Sequence, residues 1–213
     1  MRVLFSLHEE ALTLVVQNKS GITAFQNVHG KHLNVGPEGS DQERLVAELF
    51  TSCKNLLSDV SSTRLEAAEL SPALQSRDLD GYFAVTSHPD YPLAQAALVA
   101  RLDVVPIEGD CVTALVKAQP YFDLMTIPGK MYRGVDQDVA TVGVRFWVVA
   151  NAEVDNDLVY KVVRQVFNNL ETLRQSNPAL HGLSPRKMLK TIPVPYHPGA
   201  LKYYQEKRWF KAS

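Results

Sequence analysis

Short apolar runs alternate along this chain with longer stretches in which apolar residues recur at helical spacing. Residues 12–16, 33–35, 82–85 and 102–107 have the length and the β-branched or aromatic content of strands, and 141–149 reads as a longer one. The stretches between them predict helices over 40–54, 65–76, 92–100 and 110–117. Such alternation predicts an α/β fold with a mainly parallel sheet. Beyond residue 150 the pattern becomes helical. Residues 157–175 place Leu158, Val162, Val166, Leu170 and Leu173 on one stripe, with Asp155 as N-cap and Asn177-Pro178 as the stop. A proline-rich linker (Ile192-Pro193-Val194-Pro195) then leads to a last helix near 199–209, with Leu201, Tyr204 and Arg208 along one side.

Composition narrows the function classes. Of 213 residues 46% are hydrophobic, enough for a real core, and 22 Lys and Arg nearly balance 23 Asp and Glu. A balanced charge without a basic cluster argues against nucleic acid as a partner. No apolar run is long enough to cross a bilayer. The segment MRVLFSLHEEALTLVV places two acids where an export signal would carry its apolar stretch. Cys53 falls on the apolar stripe of the predicted 40–54 helix, so a buried free thiol is the simpler expectation for it, a disulfide with Cys111 the alternative. Neither cysteine has a metal-ligand spacing.

The stretch from His32 to Glu43 (HLNVGPEGSDQE) reads as a strand, a glycine-containing turn and a helix start. Gly36 and Gly39 permit close approach, and the first N–H groups of the helix, with its dipole, suit a carboxylate or phosphate. Ser40 with Glu43 is equally a capping box, which closes the helix end without any ligand. Both readings stand. His88 and Thr86, with Ser87, follow the predicted strand 82–85, where loops of open α/β sheets meet ligands; a plain turn is the alternative. Tyr132, in a loop beside Gly134, either lines a cleft or packs on its own loop. Arg145, inside an apolar strand, is expected on the solvent face of the alternation rather than in a buried pair. His29 and His32 read as loop residues, and Asp78 and Asp80 as turn residues. No nucleophile–base–acid set and no cofactor motif is visible.

Several of these segments resemble, in order, a known receptor family. Val35-Gly36-Pro37-Glu38-Gly39-Ser40 is similar to the Val-Gly-Pro-x-Gly-Ser-Gly-Thr turn of TAXI-type receptors of TRAP transporters. Ser20-Gly21-Ile22, Leu79-Asp80-Gly81-Tyr82-Phe83, Ile127-Pro128, Tyr132, Thr141-Val142-Gly143-Val144, and Ile192-Pro193-Val194-Pro195-Tyr196-His197-Pro198-Gly199 follow as they do there. The resemblance implies a class II periplasmic-binding-protein-like fold of two lobes. Residues 18–140 would form the second lobe, and 1–17 with 141–213 an incomplete first lobe. It implies a ligand site drawing on Gly36, Gly39, Ser40, Asp41, Gln42, Thr86, His88 and Tyr132, for a small carboxylate or an amino acid such as glutamate, and no enzymatic activity. Where the family has Gly-Thr, this chain has Asp41-Gln42. Further expectations are a periplasmic location, the TRAP membrane subunits as partners, and self-association through apolar surface left exposed. An intracellular sensing module of the same fold, or an enzyme on this scaffold, are the rival readings.

Overall fold

The computed structural model describes residues 1–53, 60–189 and 194–210. The tail of the expected 40–54 helix, Lys54, and the linker residues Ile192 and Pro193 lie outside the described residues. The chain forms two compact units, one of residues 10–144 and one of residues 1–9 with 145–213. Both junctions fall inside long strands, β1 (Arg2–Gln17) and β7 (Val139–Ala150).

In the unit of residues 10–144, β1 is buried on both faces, which is why it reads as a nearly continuous apolar run. Leu12, Leu14 and Val16 enter one core cluster and Ala11 and Val15 the other, the period-two alternation of a strand. Beside it lie β2 (His32–Asn34), β3 (Ser61–Thr63), β4 (Gly81–Thr86), β5 (Leu102–Val105) and β6 (Phe122–Ile127). β2 pairs in parallel with β3 and β4, whereas β1 runs antiparallel to β4 and β5, and β6 to β7. The α/β class is as expected. Among the described strands of this unit, the parallel ladders lie on the β3-β2-β4 side, so the sheet is mixed rather than mainly parallel. The cause is β1, an antiparallel strand laid between β4 and β5.

Helices α1 (Asp41–Ser52) and α4 (Asp110–Ala118) contribute Leu45, Val46, Leu49, Phe50, Val112 and Leu115 to the first cluster. There Phe25, Phe50 and Phe83 meet edge to face, with centroids 5.4–6.4 Å apart. Helices α2 (Ala67–Ser76) and α3 (Tyr91–Val99) cover the second cluster through Leu74 and Leu93. Cys53 is buried, but it is not free. It forms a disulfide with Cys111, their Cα atoms 4.9 Å apart, joining the end of α1 to the start of α4. The close approach that sequence distance hid is supplied by the packing of these two helices.

In the other unit, α5 (Asn156–Asn168) begins as expected, with the Asp155 carboxylate accepting the Leu158 N–H at 2.9 Å. Its buried stripe is Val159, Val163 and Phe167, continued by Leu170 of α6 (Leu170–Ser176); Leu158 and Val162 of the expected stripe are 54% and 42% exposed. Phe167 decides this, packing against Phe5, Tyr203, Tyr204 and Trp209. After the short α7 (Pro185–Met188), α8 (Pro198–Glu206) is capped by His197, whose Nδ1 accepts the Gly199 N–H. It ends before Arg208, whose φ of +58° takes the chain out of the helix. Arg145 is buried and paired with Glu9 rather than solvated, a partner on a strand far away in sequence. Burial pulls the Arg145 guanidinium below its ordinary pKa.

Candidate ligand site

The parallel register of β2 and β4 sets Leu33 beside Gly81 and Asn34 beside Tyr82, so both strands end on the same side of the sheet. From that end emerge the turn at Gly36–Ser40 and the loop at Thr86–Asp90. Gly36 has φ of +102°, and a Cβ there would lie 2.6 Å from Nε2 of Gln42. The missing side chain gives Gln42 room to reach across and donate to the Phe83 carbonyl at 2.9 Å, tying the first turn of α1 to β4. Gln42 is therefore a structural tether between the two segments.

Ser40 caps α1, its hydroxyl accepting the Glu43 N–H at 3.1 Å. Glu43 returns to the Gly39 N–H at 2.8 Å instead of that of Ser40, and its other oxygen holds Arg64. Arg64, and then the Gly39 N–H, keep the Glu43 carboxyl below the usual range. The capping-box geometry is thus present in modified form. No described residue accepts the N–H groups of Asp41 and Gln42. The Asp41 carboxylate is 89% exposed and pairs with Arg44 on the outer face.

At the loop, the expected residues meet one another. His88 Nε2 lies 2.9 Å from the Thr13 hydroxyl and Nδ1 2.6 Å from the Tyr132 hydroxyl, which also accepts the Asp90 N–H at 2.6 Å. Because the Thr13 hydroxyl has its own proton committed to a backbone carbonyl, the imidazole is assigned as neutral with its proton on Nε2, and Nδ1 accepts the Tyr132 proton. Thr13 accepts the Nε2 proton and donates to the Ala11 carbonyl. Thr86 donates to Asp90 at 2.7 Å, and Asp90 also caps α3 through the Leu93 N–H. Tyr132 is only 4% exposed, a packed residue rather than a cover. The Ser87 hydroxyl, half-buried, meets no partner among the described residues. Sequence reading omitted Thr13, Asp90 and Arg64 from this group; the one visible signal was a lone hydroxyl in the apolar run around Thr13.

Burial pushes His88 below its ordinary pKa, the Asp90 charge opposing, and pushes Tyr132 up to about 12. As pH falls, the unfolded chain therefore takes up the His88 proton first. The stability tied to neutral His88 is present above the ordinary histidine pKa and is lost as pH falls through that value toward the lowered one. Denaturant titrations at about pH 7.5 and pH 5 should show a smaller pH-dependent loss in His88→Gln than in the parent; equal losses would refute this assignment. Tyr132→Phe, which strands the Asp90 N–H and Nδ1, is expected to cost about 1–3 kcal/mol at neutral pH.

Comparison with known proteins adds the following. A model of the NMT1-like family matches residues 1–207. Among solved structures, the chain is similar to a protein from the structural basis of glutathione import in Gram-positive bacteria via GshT and the cystine ABC importer TcyBC of Streptococcus mutans: 15% identity over 88% of this chain and 67% of that one, TM-score 0.49. A putative periplasmic sulfonate-binding protein SsuA of a sulfonate ABC transporter from Methylobacillus flagellatus KT matches at 15% identity, over 96% of this chain and 61% of that one, TM-score 0.45. The periplasmic aliphatic sulphonate binding protein SsuA of Escherichia coli matches at 19%, over 47% and 35%, TM-score 0.38. The chain thus spans 35% and 61% of the two sulfonate-binding proteins. Identities and TM-scores this low transfer neither a ligand nor a residue role.

Proposed function

This chain belongs to the NMT1-like family, and on that premise we propose that it is a solute-binding protein. It would capture a small carboxylate or an amino acid such as glutamate outside the cytoplasm and hand it to the membrane subunits of a TRAP transporter. The observation that carries the reading is the shared end of β2 and β4. In open α/β sheets, ligands sit beyond the carboxyl ends of parallel strands, and here that end bears the Gly36–Ser40 turn and the Thr86–Asp90 loop together. The groups left open to a ligand are the N–H groups of Asp41 and Gln42 and the Ser87 hydroxyl. The imidazole and remaining hydroxyls are bonded to one another, not arranged as nucleophile and base, which supports capture without chemistry. A disulfide is favoured by oxidising compartments, which supports an extracytoplasmic site of action over an intracellular sensor. No helix among the described residues is long and apolar enough to cross a membrane. Exposed Leu158 and Val162 on α5 support association between copies of the chain.

Few open donors on one unit predict weak binding by this chain. L-glutamate is expected to shift the amide resonances of Asp41, Gln42 and Ser87 saturably, with a dissociation constant of about 0.1 mM or weaker. Asp41→Asn, which removes a charge competing for the helix dipole, should tighten that binding by roughly two- to fivefold. Glutamate that leaves these three amides unmoved at saturating concentration would sink the proposal, and submicromolar binding would sink the expectation of weak binding. Methanesulfonate and glutathione in parallel titrations test the ligand class: preference for either over glutamate refutes the carboxylate assignment.

A further inference from the structure

At the opposite end of β4 from that site, residues 10–144 carry a second feature with the makings of a pocket. A concavity of about 360 Å³ is bordered by the end of β1, the C-terminal ends of α2 and α3, and the residues leading into β4 and β5. A neighbouring concavity of about 450 Å³ shares Asn18, Ala100, Arg101 and Leu102 with it. Volumes of this order suit a small organic molecule.

The lining is cationic. Lys19, Arg77 and Arg101 border the first concavity, and Arg133 joins Arg101 at the second. None of the four takes part in an ion pair among the described residues. The carboxylates present are already engaged. Asp80 accepts the His32 N–H at 2.8 Å and Asp103 the Asn18 amide at 3.0 Å. Two of the cations, Arg77 and Arg101, lie just beyond helix C-termini, where the dipole favours them without any ligand. That solvated-surface reading does not neutralise the site. A helix end is worth about half a charge, so two ends and one carboxylate leave the three cations of the first concavity in excess. Arg77 also holds φ of +63°, a C-cap position where glycine is the ordinary occupant, so a long cation stands at the rim against its backbone preference. Beneath the charges, Leu74, Leu79 and Leu102 are buried and supply an apolar floor.

We infer that this pocket is a second binding site, for a small organic anion with an apolar body, held by the Arg77 and Arg101 guanidinium groups over the leucine floor. Guanidinium groups are suited to two-pronged contact with carboxylate or phosphate. The site is independent of the glutamate site proposed above and uses none of its residues.

Phenyl phosphate is the probe, titrated into the full chain and followed by amide resonances, with benzyl alcohol as the neutral counterpart. The expected result is a saturable shift at Asn18–Ser20, Arg77–Asp80 and Arg101–Asp103, with Asp41, Gln42 and Ser87 unmoved. The double variant Arg77→Gln/Arg101→Gln should weaken binding about tenfold or more. Both side chains belong to exposed residues, and unchanged thermal unfolding will show that the variant folds. Binding should also weaken as salt is raised. The inference is overturned if phenyl phosphate fails to saturate, if the double variant binds it equally, or if benzyl alcohol binds as well as the anion. Because its reporter amides and probe differ from those of the glutamate titration, either reading can fail while the other stands.

Discussion

Reducing the Cys53–Cys111 disulfide is expected to destabilise the chain by about 4 kcal/mol, the loop-closure value for a sequence separation of 58. The bond removes from the unfolded ensemble the freedom of the whole segment between α1 and α4. It also anchors a buried residue of the main core cluster, since Cys53 packs with Phe50, Leu49 and Val112. The measured range for native disulfides, about 2–5 kcal/mol, keeps the effect well above that of most single substitutions. Guanidinium denaturation with and without reductant is the measurement, and Cys53→Ser/Cys111→Ser should reproduce the reduced midpoint. Coincident midpoints for the oxidised and reduced protein would show that the bond contributes nothing.

Gly143→Ala is expected to cost about 4 kcal/mol or more, a loss of the size that follows only from specific damage to a core or backbone. A Cβ at Gly143 would sit 2.2 Å from the Glu10 carbonyl, 2.9 Å from the Ala11 Cα and 2.6 Å from the Met125 sulfur. The sulfur belongs to a flexible side chain and can move; the two backbone atoms of β1 cannot move without disturbing its ladders to β4 and β5. Thr141, two residues earlier, donates to the Leu12 carbonyl, so the same strand segment is also fixed by a buried hydrogen bond. Equilibrium unfolding of the variant decides the matter: a loss below about 1 kcal/mol would mean that the strands yield freely.

Much of this was legible in the sequence, for local reasons. Helices α1, α3 and α5 begin close to their expected positions because Ser40, Asp90 and Asp155 are capping residues whose chemistry acts within one turn. Loop position singled out Thr86, His88 and Tyr132 one by one, but not that His88 and Tyr132 bond to each other. What stayed hidden depends on partners distant in the chain. Strand β3 is Ser61-Ser62-Thr63, with no apolar residue to announce it, and forms only because β2 offers an edge. In β6 the two well-buried residues are Phe122 and Ile127, an odd spacing that masks any alternation. Arg145 is solvated by strand parity alone, and its pairing with Glu9, distant in sequence, helps to make its burial tolerable. Two apolar stripes run side by side on α5, offset by one residue, and periodicity cannot choose between them. The aromatic cluster around Phe167 does. At the site, sequence could propose Gln42 as a ligand contact, but not that Gly36 clears its path to Phe83.

The insertion of residues 10–144 within the other unit has a consequence for synthesis. That unit is continuous in sequence and holds its own disulfide, so it can form as soon as its last strand is made. The opening strand segment cannot. The Val3 N–H waits for the carbonyl of Pro195, the Leu4 carbonyl for the hydroxyl of Tyr204, and the Phe5 ring for Phe167. Until α8 exists, Val3-Leu4-Phe5 therefore lacks these partners and leaves part of its apolar strand edge open. Unpaired edges of this kind are the natural template for strand addition between chains. A factor that shields residues 3–5 until α8 has been made should raise the yield of folded protein more than one that acts on residues 10–144.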